Sequence, residues 1–157
     1  MPDGLHERDI LAWAEQQAAL LRRLVRGERP GEAVDWPNVI EEIRDVGVAE
    51  LRACESLLRR ALVHLLRLRA WPSSMAAAHW RGETVGFLAD AARRFTPSMR
   101  DRISVAGLYD AALRQVWAET SGEGPACLLP RECPFALDEL LTERPDVAAL
   151  AARLGTG

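Results

Sequence analysis

Carboxylates and an imidazole held inside a helical bundle are the raw material of di-iron and di-manganese centres. This sequence offers Glu41, Glu42, Glu50 and His64 as the residues that could build such a metal or acid/base site. Those centres use a Glu-x-x-His spacing on two helices, and no Glu stands three residues before His6, His64 or His79. Asp3 precedes His6 by three, but at a chain end expected to fray. On a helical wheel His64 falls about 80° from the centre of its helix's apolar face, which reads as a structural or solvated histidine. His79 and Glu83, four apart, read as an ordinary surface pair. Glu50 falls inside the apolar face, where a lone carboxylate is costly. It reads as a Glu50–Arg pair that fixes helix register, with a poised carboxylate in a pocket as the alternative.

Nucleophilic chemistry finds no motif. There is no G-x-S-x-G, no glycine-rich phosphate loop and no Cys tied to a His by a known spacing. Cys54, Cys127 and Cys133 form no C-x-x-C pair, so neither a zinc site nor a redox motif is expected. Cys54 reads as core packing and the other two as loop residues, with no disulfide expected in a reducing cytosol. The reading leans away from an enzyme and implies no cofactor.

The cations say more. All 20 basic residues are Arg. With one Asn, one Tyr and few Ile and Phe, the absence of Lys has the look of a GC-rich coding genome. A net charge of −3 argues against a general nucleic-acid binder. Position along the chain carries the physics. Residues 28–50 hold seven acids against Arg29 and Arg44, residues 52–102 hold ten Arg against four acids, and residues 119–146 hold seven acids against Arg131 and Arg144. Arg59, Arg60, Arg67 and Arg69 therefore form a candidate partner-binding face. Either acidic elements fold onto it as salt bridges, or it stays open to an acidic partner, RNA or a phosphorylated ligand.

Helices must position these residues, because nothing in the chain alternates with period two. Apolar recurrence predicts a first helix over 9–26, capped by Asp9 and stopped by Gly27, Pro30 and Gly31. A second, over 36–69, has Pro37 in its first turn and an apolar seam of Ile43, Gly47, Leu51, Cys54, Leu58, Ala61, Leu65 and Leu68. A kink or break is expected at Gly47, since an interior Gly costs about 1 kcal/mol relative to Ala. Trp71-Pro72 ends that run. A third helix over 74–95, capped by Ser73 or Ser74, and a fourth over 97–121, opening on Pro97 and stopped by Gly122, follow. Residues 122–134 read as a structured loop, with short helices over 134–141 and 145–154.

The sum is an all-α protein: one domain over 1–157, an up-down bundle of about four main helices (9–121) with a small C-terminal helical cap (122–154). No segment reads as a membrane span or a signal peptide, which sets the cytoplasm as the default.

Asp9 with Trp13, Asp35-Trp36 leading to Asn38 and Glu41-Glu42-Ile43, Gly47, Glu50, His64-Leu65-Leu66, Trp80, Pro97-Ser98, Tyr109, Glu119 and Cys133-Pro134-Phe135 before Leu140-Leu141 resemble the family called domain of unknown function 29. The resemblance runs in order from about residue 8 to 146. It implies an all-helical, mostly single-domain bacterial protein of unassigned activity. Members usually carry a cationic residue and then Trp after the His-Leu-Leu triplet. Here Arg67-Leu68 follow it and the Trp arrives at Trp71.

The leading expectation is a non-catalytic cytoplasmic helical-bundle interaction or regulatory protein, with an unknown protein partner or a homodimer through residual apolar helix surface. A metal-binding bundle enzyme using Glu41, Glu42, Glu50 and His64 is one alternative. Acidic-ligand or RNA binding by the arginine face is the other.

Overall fold

The first helix, at Leu5–Arg8, is a single turn, and the chain then commits to longer ones. A computed structural model describes residues 4–8, 10–29, 33–120 and 124–155. In order, α1 is Leu5–Arg8, α2 Ile10–Val25, α3 Trp36–Ala70, α4 Ala77–Arg94, α5 Val105–Glu119, α6 Leu137–Leu140 and α7 Val147–Arg153. No strand occurs among the described residues. The expected Asp9 cap, the Pro30-Gly31 stop and the Gly122 stop lie outside them. Gly27 does end α2: its φ of 81° suits a residue without Cβ, and its N–H donates to the Leu24 carbonyl at 3.0 Å.

The helices differ from expectation in three places. The chain does not break at Gly47; α3 runs 35 residues without interruption. A cost of about 1 kcal/mol at one exposed position is too small to undo hydrogen bonding continued on both sides. The fourth helix does not open on Pro97 either. Pro97–Met99 is one 3-10 turn, and α5 starts at Val105 with Ser104 as its cap, Oγ accepting from the Gly107 N–H at 3.1 Å. Ser104 was the available signal. Likewise α4 starts at Ala77, not at Ser74, whose hydroxyl instead accepts from Ala76 N–H in the turn before it.

The chain divides into two compact units, Met1–Ala49 and Glu50–Gly157. In the first, Trp13, Val34 and Val39 are buried, with Leu5, Leu20 and Leu21 packed around them. A polar cluster borders this centre. Trp13 Nε1 donates to Asp35 at 3.3 Å, Asn38 Nδ2 donates to the same oxygen at 2.7 Å, and buried Gln17 accepts from the Asp35 N–H. The Asn38 amide, seconded by the indole, holds the Asp35 carboxyl below its ordinary range.

In the second unit the seam behaves as expected from Cys54 onward: Cys54, Leu58, Ala61 and Leu65 are fully buried, and Leu68 nearly so. Its proposed beginning does not, because Ile43 is 70% exposed. Leu88 and Ala91 of α4 and Tyr109, Leu113 and Val116 of α5 close over this face. The C-terminal segment shares this core. Phe135, Leu140, Val147, Leu150 and Leu154 belong to the same apolar cluster, and α7 packs on α4. The loop between is tied to α5 by Tyr109 Oη donating to the Pro130 carbonyl (2.7 Å) and Trp117 Nε1 to the Ala126 carbonyl (2.9 Å). Burial pushes the Tyr109 phenol well above its ordinary range, so it serves as a neutral donor.

Candidate functional site

Residues spaced by three or four share a helix face, and three such rows converge inside the second unit. From α3 come Arg59, Arg60, Val63, His64 and Arg67; from α4, Glu83 and Phe87; from α5, Gln115. Together they line a pocket of about 280 Å³.

His64 lines it and is 8% exposed. Its Nε2 is 2.7 Å from Glu83 Oε2, and its Nδ1 is 3.3 Å from Arg67 Nη1. A guanidinium can only donate, so Nδ1 accepts and the ring proton sits on Nε2, donated to Glu83. The imidazole is therefore neutral. It stacks on Phe87 with ring centroids 5.7 Å apart and planes 8° from parallel. Burial lowers its pKa first, Arg67 and His79 adding to this, while the Glu83 hydrogen bond and charge oppose it. His79 Nε2 approaches the same Glu83 oxygen at 3.4 Å, the expected i,i+4 pair, now extended to His64.

A pH dependence follows. An unfolded His takes up its proton near pH 6.5 and the folded one resists it, so the stabilisation is present above about 6.5 and lost as pH falls through the lowered folded value. The urea midpoint is expected to drop between neutral and mildly acid pH, and to drop less in His64→Gln. An equal drop in both proteins contradicts this account of His64.

The arginines divide into two kinds. Arg67 is spent: it grips Glu119 with Nη2 at 2.5 Å and Nε at 3.1 Å, and lies over the Trp80 ring. Among the described residues Arg59 donates only to the neutral Gln115 Oε1, at 3.0 Å, and Arg60 sits 5.0 Å over Phe87. Neither has a carboxylate within salt-bridge distance among the described residues. Arg69 does not join them; its guanidinium lies against Gly155, where a Cβ would collide with it.

Elsewhere the segregated charges cancel internally, Arg94 with Glu50 (3.1 Å) and Arg100 with Asp138 (2.9 Å). Glu50 thus has the expected arginine partner, but its side chain is 54% exposed and outside the buried seam. Glu42 instead bonds His6 (2.5 Å), whose ring stands edge-on to Trp13, and Glu41 is exposed. Of the four carboxylate and imidazole candidates, Glu42, Glu50 and His64 each have a separate partner. Among the described residues no three His, Cys, Asp or Glu gather closely enough to hold a metal. Sequence reasoning missed Phe87, Gln115 and Glu119. Phe87 was visible only as apolar periodicity, and Glu119 as part of an acidic segment and of the family pattern, neither of which pairs it with Arg67.

Residues 5–144 match the model of the family described as Domain of unknown function DUF29. The chain belongs to this family. The DUF29 chain is also similar to a solved structure, the crystal structure of an alpha-helical protein of unknown function from Rhodospirillum rubrum. The two are 33% identical, with 96% of this chain and 97% of that one covered and a TM-score of 0.72. No curated protein matches. At the departure from the usual DUF29 pattern, Leu68 is buried in the core and Trp71 packs half-buried against the same cluster. Among the described residues no helix is long and apolar enough to cross a membrane.

Proposed function

We propose that this DUF29 protein is a non-catalytic cytoplasmic binding protein, of the interaction or regulatory kind, whose α3–α4–α5 pocket takes the acidic group of a ligand or partner. One observation carries the reading: Arg59 and Arg60 line a pocket and neither makes a salt bridge among the described residues, while neighbouring Arg67 is fully occupied. Both guanidiniums border the same pocket, and an anion bound there neutralises positive charge that the protein leaves unpaired. The lining contains no hydroxyl, thiol or unengaged imidazole, so it is suited to holding an anion rather than attacking one. The cytoplasmic placement rests on cysteines that form no disulfide framework.

A ligand that binds only the folded state raises its melting temperature. Malonate is expected to raise that temperature beyond chloride of equal ionic strength in the wild type, and not in Arg59→Gln/Arg60→Gln. Equal shifts in both proteins would leave only a general salt effect and sink the proposal.

A second reading is favoured by Trp36, Ile40, Ile43 and Val46, which share one face of α3 and are 46–70% exposed. Such a stripe suits pairing with a second copy of the chain. A molecular mass that stays monomeric across a wide concentration range rules it out.

A further inference from the structure

Charge accounting in the pocket sharpens the identity of the anion. The one lining carboxylate, Glu83, keeps its charge but is bonded to the neutral His64 at 2.7 Å, with His79 at 3.4 Å, and makes no salt bridge with Arg59 or Arg60; Glu119 is consumed by Arg67. Two guanidiniums of the lining, Arg59 and Arg60, therefore have no carboxylate partner among the described residues. A carboxylate neutralises one of them. A phosphate monoester carries about −1.5 to −2 at neutral pH and neutralises both.

Hydrogen-bonding capacity points the same way. Gln115 gives its oxygen to Arg59, which leaves its amide N–H groups as donors. Arg59, Arg60 and Gln115 therefore present donors only, and a deprotonated phosphoryl head presents only acceptors, in a geometry that arginine forks match. The volume of about 280 Å³, walled by Val63 and Phe87, suits one compact head with a small substituent. A nucleic-acid backbone needs a track of cations, whereas these two stand side by side in a chain of net charge −3. We infer that the pocket formed by Arg59, Arg60 and Gln115 binds a single phosphate monoester dianion, an inference that rests on the acidic-ligand reading. His64 acts as a positioning residue, keeping Glu83 off the arginines.

Calorimetric titration of the full chain with methyl phosphate, malonate and acetate tests this. Methyl phosphate is expected to bind at least about tenfold more tightly than either carboxylate, and Arg59→Gln and Arg60→Gln each to weaken it by about tenfold. Glu83→Gln removes the opposing charge and is expected to tighten binding several-fold, a gain that a misfolded variant does not give. Malonate or acetate binding as tightly as methyl phosphate overturns the phosphate assignment while the acidic-ligand reading stands. Failure of all three anions to bind overturns both. Unchanged affinity in the two arginine variants overturns the site.

Discussion

Leu58→Ala is expected to cost about 3 kcal/mol of unfolding free energy, within the roughly 2–5 kcal/mol range for fully buried leucines. Leu58 has no exposed surface and lies at the centre of the α3 seam, one turn from Cys54 and Ala61, with α4 and α5 closing over it. The apolar cluster it belongs to draws on three helices and on the C-terminal segment, so a cavity there has little room to collapse. Chemical denaturation followed by far-UV circular dichroism measures it, and a loss below about 1 kcal/mol would mean the core is not packed as described. The side chain does not line the pocket, so a folded Leu58→Ala protein should keep its anion affinity.

Trp13→Ala is expected to be as damaging, about 3–5 kcal/mol, but in a different place. The first unit buries little else: Val34 and Val39 are its other buried apolar residues among those described. Losing the indole also removes the hydrogen bond to Asp35 and the edge-on contact with His6. Hydrogen exchange should therefore accelerate in α2 and in residues 33–49 while α4 and α5 keep their protection. Uniform acceleration along the whole chain would contradict the assignment of Trp13 to a separate apolar centre.

Much of this was legible in the residues. The seam from Cys54 to Leu68 could be read because each step of three or four returned to an apolar side chain, and the all-α class followed from the same periodicity. Gly47 misled because its cost is local, whereas a helix is held by neighbours on both sides. Pro97 misled because a proline that can start a helix can equally start a single 3-10 turn, with Ser104 as the true cap. The arginine face was half legible. Arg59, Arg60 and Arg67 share a helical face, so sequence placed them together; Arg69 belongs to another face and meets Gly155. Which arginines remain unneutralised depends on Glu119, Glu83 and Gln115, 19 to 56 residues away in the chain from the α3 side chains they bond. Only the packing of α4 and α5 against α3 decides that.

The central claim is that Arg59 and Arg60 together hold an anion. Proton–nitrogen correlation spectra of the arginine Nε–Hε groups, recorded while methyl phosphate is added, test it at the atoms concerned. The Arg59 and Arg60 signals are expected to move together and saturate while that of Arg67, locked on Glu119, stays nearly still. Signals that do not move, or that move equally for arginines across the whole surface, would contradict it.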